Sequence, residues 1–370
     1  MSDTNERILS LDVFRGLTMA LMVLVNAQGT REIYPLLEHA AWNGCTFADL
    51  VFPGFLFIVG MTTVISLHRQ LLHSDASRIE LYKSILKRSV LLFAFGLFLN
   101  AFPLHFDFAT IRVYGILQRI AICYLICSVI YLNTSLKTQI ILFWGILVGY
   151  WYWLTQIPVP GGQGDVLSIS SNWVAFIDKT LLSPEHLYRN FDPEGLLSTL
   201  PAVATTLSGL LTGRFLLINY DKRKKTVWMI LTGILFLILG WIWSYSFPLN
   251  KNLWTSTFVL WTSGISLITF ALCFYIIDVL GKSTWALPFK IFGMNALFIF
   301  IFHVLLLKLQ SAFSLPLQDG SYDYVRVVIA DYLFGSFSQE NASLLYALVF
   351  LLLNFLIAVY LYRKKIFFKL

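Results

Sequence analysis

Three polar residues near the start of the chain have side chains suited to proton and group transfer. His39 lies in a short loop between two long apolar runs, Asn26 ends the first run, and Asp49 begins the second. His39 could deprotonate an incoming nucleophile as a general base, or carry a group itself as a nucleophile. The Asn26 amide could donate to a developing oxyanion, and the Asp49 carboxylate could orient the imidazole. Polar residues at the mouth of a membrane bundle are costly to keep, so this pattern predicts a functional site.

Each of the three residues also has a plainer structural interpretation. Asn and Asp commonly cap helix ends, which is where Asn26 and Asp49 are predicted to lie. His39 could simply hydrogen-bond its own loop at the membrane interface. The residue types alone leave both interpretations open.

The composition excludes an ordinary soluble domain. Hydrophobic residues make up 58% of the chain and charged residues 13%, whereas soluble domains are about 45–50% apolar and about 25% charged. The net charge of +7 does not indicate a nucleic-acid partner, because the basic residues cluster at the ends of apolar runs. We predict no metal site, and we expect Cys45, Cys123, Cys127 and Cys273 to be packing residues.

The apolar runs predict an all-α, polytopic membrane helix bundle of about ten transmembrane helices, forming a single domain over residues 1–370. The first run is interpreted as a retained span, because no convincing small-residue cleavage site follows it. The runs lie at about 10–27, 47–67, 85–103, 112–132, 138–156, 196–218, 226–246, 254–278, 286–309 and 342–362.

Basic residues are concentrated in alternate loops, and this orients the predicted spans. Residues 68–88, residues 214–225 and the tail from Arg363 are rich in Lys and Arg. The charge pattern predicts that both termini are cytoplasmic, and that residues 158–194 and the His39 loop lie outside. A weaker apolar stretch at 324–337 contains charged residues and is predicted to be a short interfacial or re-entrant piece.

Four further polar residues are predicted to lie within the spans or at their ends: Arg15, Arg119, Asn295 and His303. A buried Arg119 should pair with a carboxylate or a phosphate. A lone histidine such as His303 more often bonds a neighbouring helix than takes part in chemistry, and Asn295 shares that alternative. Near the inner face, Arg15 could pair with Asp12.

Eight sequence blocks occur in an order that is specific for a known family. They are Leu11–Gly16, His39–Gly44, Ala48–Pro53, Gly115–Arg119, Phe191–Gly195, Asn250–Trp254, Gly293–Asn295 and Tyr362–Phe367. Through these blocks, the chain resembles the transmembrane heparan-α-glucosaminide N-acetyltransferase family and its bacterial relatives over nearly its whole length.

The resemblance implies a reaction, a location and partners. Known members move an acetyl group from cytosolic acetyl-CoA to the amine of a terminal glucosamine across a membrane. It therefore implies a multi-pass acetyltransferase in the lipid bilayer of a bacterial inner membrane, with acetyl-CoA as donor and an amino sugar or glycan as acceptor. The family's essential histidine matches His39, and its asparagine matches Asn26. The residues predicted to bind the donor are Arg15, Arg119, Asn295 and His303.

Several alternatives stay open at this stage. Relative to the animal enzyme, the chain is expected to lack a luminal domain and first span, and its Asn26–His39 interval differs from the family's glycine-rich run. That difference bears on the acceptor. A transporter of a sugar or anion, an O-acyltransferase of a surface glycan and a structural subunit are the competing functions. An acetyl-histidine intermediate, a ternary complex and a homodimer are equally undecided.

Overall fold

The computed structural model describes residues 8–73, 77–104, 106–107, 109–162, 164–188, 191–316 and 322–368. Within these residues the regular secondary structure is almost entirely helical, which confirms the predicted all-α class. The helices are α1 (Leu9–Asn26), α2 (Val51–His73), α3 (Arg78–Ala101), α4 (Ile116–Asn133), α5 (Leu136–Gln156), α6 (Trp173–Leu181), α7 (Leu196–Leu217), α8 (Lys222–Ser244), α9 (Ser256–Phe274), α10 (Leu287–Met294), α11 (Ala296–Ala312), α12 (Val325–Phe334) and α13 (Gln339–Arg363). A short antiparallel hairpin of β1 (Ser314–Pro316) and β2 (Tyr322–Tyr324) is an unpredicted addition.

Eight of the described helices are long and apolar enough to cross a membrane, and α10 with α11 can form one further, bent span. Helix α5 has 21 residues, enough to cross a bilayer, but its many Trp and Tyr residues lower its mean hydropathy. Counting α5 would give ten spans, the predicted number. That number and the cytoplasmic position of both termini stay predictions.

The predicted span at 286–309 is not one continuous helix, because α10 and α11 meet at Asn295 with a bend of 69°. The Asn295 backbone leaves the helical region, with φ −123° and ψ 32°. Its side chain binds the C-terminal tail instead: Nδ2 donates to the Ile366 carbonyl over 2.9 Å, and Oδ1 accepts from the Phe368 amide over 3.0 Å. The apolar run alone gives no sign of this distant contact.

Close backbone contact between α1 and α10 fixes the helix that ends at Asn26. A Cβ on Gly16 of α1 would collide with the Phe289 carbonyl, and a Cβ on Gly293 of α10 would collide with the Asp12 carbonyl. Such contacts between glycines are typical of helix packing in membranes, where close approach gains van der Waals contact.

The charged stretch at 324–337 forms helix α12, which has 10 residues. A helix of that length rises about 15 Å, whereas the hydrocarbon core is about 30 Å thick. Helix α12 is therefore too short to cross, as the sequence predicts, and its Arg326 side chain lines a cavity of about 1060 Å³.

Candidate active site

A cavity of about 1060 Å³ lies where the loop after α1 meets the loops before α4, α7 and α9. The three residues predicted to be catalytic, Asn26, His39 and Asp49, all line it. Its other charged lining residues are Glu38, Arg112, Glu194, Lys251 and Arg326. A concave space with a few convergent polar groups is the usual form of a small-molecule site.

His39 and Asp49 form a hydrogen-bonded pair at this cavity. His39 Nδ1 lies 2.8 Å from Asp49 Oδ1, and the two side chains are 52% and 1% exposed. An ionised carboxylate can only accept, so we assign the ring proton to Nδ1 and the lone pair to Nε2. The pair therefore leaves Nε2 as the ring nitrogen that could take a proton or attack a carbonyl carbon.

Donors surround both oxygens of the Asp49 carboxylate. Its Oδ2 accepts from the Ala40 amide, the Thr46 amide and the Thr46 hydroxyl, each over 3.1 Å. Its Oδ1 receives His39 and also lies 3.2 Å from Lys251 Nζ. Asp49 is thus a fixed buried anion that holds the His39 loop, a larger role than capping α2.

Cys45 lies between His39 and Asp49 in the sequence and is the other potential nucleophile of this loop. Burial, and then the negative charge of Asp49, raise the pKa of the Cys45 thiol to about 12. Only a thiolate is strongly nucleophilic, so Cys45 stays protonated near neutral pH and does not compete with His39.

Asn26 is held by His303, the second histidine predicted from the sequence. Asn26 Nδ2 lies 3.2 Å from His303 Nε2, and His303 Nδ1 lies 3.0 Å from the Ile299 carbonyl. A carbonyl only accepts, so Nδ1 carries the His303 proton and Nε2 accepts from Asn26. His303 is fully buried in α11 and accepts from the Asn26 amide at the cavity, and its predicted contact with the donor stays a prediction.

Arg112 ties together the loop that forms one wall of the cavity. Its Nε and NH2 donate to Asp192 over 2.7 and 2.6 Å, and NH2 also donates to Glu194 over 2.5 Å. Burial lowers the pKa of the Arg112 guanidinium, but the bonds and charges of Asp192 and Glu194 outweigh it and raise that pKa above its usual range. Arg112 is therefore a permanent cation with two carboxylate partners.

Arg119, also predicted to bind the donor, is sealed inside the bundle and does not line the cavity. Its NH2 donates to the Gly195 carbonyl over 3.2 Å and to the Ser198 hydroxyl, and the guanidinium lies 4.9 Å from the centre of the Trp254 ring. These contacts join α4 to the start of α7. Its Nε and NH1 atoms make no hydrogen bond with the described residues.

Arg15 and Asn295 lie apart from His39, at the other end of α1 and at the α10–α11 break. Arg15 NH1 approaches Asp12 Oδ1 at 3.4 Å, the predicted pairing, and the Gly293 carbonyl at 3.3 Å. Beside them is a second cavity of about 630 Å³ between α10 and the tail that Asn295 holds. Its basic lining residues are Lys290, Arg363 and Lys365.

Sequence reasoning missed Lys251, whose Nζ lies 3.1 Å from His39 Nδ1. Two signals pointed to it. Lys251 lies in the Asn250–Trp254 block, one of those that carry the family resemblance. It also lies in a loop predicted outside, where the positive-inside rule disfavours lysine. Arg112 begins the span predicted at 112–132, Arg326 lies in the predicted interfacial stretch at 324–337, and both line the cavity.

Comparison with known proteins gives consistent matches. A family model described as "Heparan-alpha-glucosaminide N-acetyltransferase, catalytic" matches residues 7–242. The Homo sapiens heparan-alpha-glucosaminide N-acetyltransferase is 30% identical over 428 aligned positions, which cover 100% of this chain and 61% of that protein. The Mus musculus protein of the same name is 27% identical over 421 positions, covering 98% and 60%. The chain thus spans about three-fifths of the length of these relatives.

Proposed function

Since the chain belongs to the heparan-alpha-glucosaminide N-acetyltransferase catalytic family, we propose that it is a membrane-embedded acetyltransferase with His39 at its reactive centre. In this proposal, one domain over residues 1–370 takes acetyl from acetyl-CoA at the cytoplasmic face of a bacterial inner membrane. It delivers the acetyl group to the amine of a glucosamine-type sugar on the outer face.

The observation that carries this proposal is the His39–Asp49 pair at a cavity that Asn26 also lines. His39 Nε2 can take the proton that the acceptor nitrogen loses as it forms a bond to the thioester carbonyl carbon. The carbon–sulfur bond then breaks, and the same proton passes from the imidazole to sulfur, so that CoA leaves as the thiol. One N–H of the Asn26 amide is bound to His303, and the other is free to stabilise the developing oxyanion.

A covalent variant uses the same atoms. His39 Nε2 would attack the thioester first, CoA would leave, and the acceptor amine would then displace the imidazole. Label retained on the protein without acceptor, and discharged when glucosamine is added, would support this variant over a ternary complex.

The charge distribution supports the assignment of donor and acceptor sides. Acetyl-CoA carries several phosphate charges, and Lys290, Arg363 and Lys365 line the cavity at the α10–tail end of the bundle. The cavity around His39 contains the carboxylate of Glu38, which could pair with an amino sugar in its ammonium form, and that ammonium must lose a proton to solvent before its nitrogen can attack.

The proposal is tested by acetyl transfer from labelled acetyl-CoA to glucosamine, with purified protein in lipid nanodiscs. We expect N-acetylglucosamine to form, and His39→Ala to lose activity by a factor on the order of 10²–10⁴. His68→Ala, in α2 and away from the cavity, is the matched control and should retain activity.

Three outcomes would contradict the proposal. Near-normal turnover by His39→Ala would remove His39 from the mechanism. Transfer only to hydroxyl groups, with N-acetylglucosamine as good an acceptor as glucosamine, would make the protein an O-acyltransferase. Sugar or anion uptake into proteoliposomes without acetylation would make it a transporter.

A further inference from the structure

Lys251 is held in place at the histidine–aspartate pair by a fixed loop between α8 and α9. In that loop, Asn250 Nδ2 donates to Asn43 Oδ1 over 3.1 Å, and the Gly44 amide donates to the Leu249 carbonyl over 2.7 Å. Both bonds join the Lys251 loop to the His39 loop. Asn250 is fully buried, so the position of the neighbouring lysine is set by packing and hydrogen bonds.

The ammonium of Lys251 is directed at the same carboxylate oxygen as the His39 ring. Its Nζ lies 3.2 Å from Asp49 Oδ1 and 3.1 Å from His39 Nδ1, and its side chain is 18% exposed. Lysine can only donate, and Nδ1 already donates to Asp49, so Lys251 is not a hydrogen-bond partner of the ring. It is a positive charge placed next to the imidazole.

A carboxylate alone beside a histidine stabilises the protonated, cationic ring. Here, Lys251 contributes a second charge of opposite sign at a comparable distance, so Asp49 and Lys251 together present almost no net charge to His39. Removing the Lys251 charge would leave the Asp49 carboxylate unopposed beside the ring and would favour its protonated form.

Other charged groups around the cavity come from every element packed against the His39 loop. They are Glu38 of the loop itself, Arg112 before α4, Glu194 before α7 and Arg326 of α12. Among the described residues, none of these four makes a hydrogen bond or ion pair with the His39 ring, whereas Asp49 and Lys251 both approach Nδ1. Lys251 is therefore the closest cation to the ring.

We infer that Lys251 is a positioning residue that keeps the His39 ring neutral, so that Nε2 retains its lone pair. The catalytic consequence rests on the proposed function, but the protonation of the ring does not. In transfer, the same charge would favour return of the proton from the imidazolium to the departing sulfur, because the cationic ring is the form that Lys251 disfavours.

The inference is tested by reaction of His39 with diethyl pyrocarbonate, which modifies neutral imidazole. The extent of modification is followed against pH by mass spectrometry of the His39 peptide, with protein in detergent. The side chain is 52% exposed, so the reagent can reach it. In Lys251→Met, we expect the midpoint of the pH dependence to move up by about one pH unit.

Two variants control for structure. Lys251→Arg keeps the positive charge, and the midpoint should stay near that of the wild type. Lys179→Met removes a lysine from α6, also in a segment predicted outside but away from the cavity, and should change nothing. Lys251→Gln replaces Lys251→Met if the latter unfolds, and the same upward shift is expected.

An unchanged midpoint in both charge-removing variants would overturn the inference. An upward shift in the charge-removing variants, together with a wild type that transfers no acetyl group, would leave the inference standing and reject the proposed function. With an active wild type, the acidic limb of the rate profile should move up together with the modification midpoint, and Lys251→Arg should restore it.

Discussion

The two histidines near the Asn26 end of α1 differ in the partner of one ring nitrogen. Both use Nδ1 as a donor, His39 to Asp49 and His303 to the Ile299 carbonyl. The Nε2 of His303 is occupied by Asn26, whereas the Nε2 of His39 makes no hydrogen bond with the described residues and is the atom we propose to be reactive. His303 is fully buried, and the His39 side chain is 52% exposed.

This difference shows how one residue type serves two purposes within a single site. A buried ring with both nitrogens bonded can only orient its neighbours, and His303 orients Asn26. A half-exposed ring with one nitrogen bound to a fixed anion keeps a reactive atom in the cavity. In the proposed mechanism, burial and the partner of Nε2 therefore distinguish a histidine that orients a neighbour from one that reacts. Each of these two properties can be changed separately by mutation.

The largest expected effect comes from Asp49→Asn. The backbone amides of Ala40 and Thr46 require an acceptor at Oδ2, so the new amide NH2 would take the Oδ1 position and donate to His39 Nδ1. The ring proton would then move to Nε2, and the base would be lost. We expect the acetyl-transfer rate to fall by a factor on the order of 10²–10⁴, with expression unchanged.

The matched measurement is the double variant with His39→Ala. Because both residues act in the same step, its transfer rate should be no lower than that of the slower single variant. An Asp49→Asn rate within about threefold of the wild type would show that His39 does not depend on this carboxylate for its tautomer.

A smaller effect is expected from His303→Leu. The Asn26 amide would lose the acceptor that orients it, and kcat should fall about tenfold, equivalent to about 1.4 kcal/mol. His303→Gln is the control, since its amide can accept from Asn26 and donate to the Ile299 carbonyl. A loss as large as that of His39→Ala would instead favour the direct donor contact predicted from the sequence.

The last prediction concerns stability and not the transfer rate, and it involves a buried carboxylate that, unlike Asp49, has a donor on one oxygen only. Asp178 Oδ1 accepts from the Leu196 amide over 3.0 Å, while Oδ2 makes no hydrogen bond with the described residues. Burial, with a contribution from the charge of Asp192, raises the pKa of Asp178 from 3.8 to about 6. The folded state thus binds this proton more tightly than the unfolded chain.

Ionisation of Asp178 therefore costs stability as pH rises from about 4 to about 6, and the cost persists above that range. Asp178→Asn cannot ionise, so it should be more stable than the wild type by about 2–3 kcal/mol near pH 7.5 and show little difference below about pH 4. Thermal unfolding in detergent at both pH values is the measurement. A gain equal at both values would mean that packing, and not charge, distinguishes the two side chains.

The residues around His39 were predictable because they are close in sequence. A histidine between two spans, with an amide at the end of one and a carboxylate at the start of the next, must lie at one mouth of the bundle. Their presence in one cavity agrees with this expectation, and their chemical roles stay predictions. The ten-residue interval keeps Asp49 near His39 in the chain, whereas their hydrogen bond is seen only in the structure.

The intramembrane polar residues were less predictable because a polar group in a span bonds whatever neighbour the packing brings. Arg119 donates to Ser198 and Gly195, and His303 accepts from Asn26, and these partners are 76 to 277 residues apart in sequence. No local pattern encodes such partners. Lys251 was predictable in retrospect, because a lysine in a loop predicted to lie outside departs from the positive-inside rule and calls for another explanation.

The bonds of Asn295 to the tail also have a consequence for synthesis. Their partners, Ile366 and Phe368, follow Asn295 by 71 and 73 residues. At about 5–20 residues per second, translation delivers them roughly 4–15 s after Asn295 itself. The bend between α10 and α11 therefore lacks these two bonds until residues 366–368 have been made, and a truncation before Ile366 would remove both.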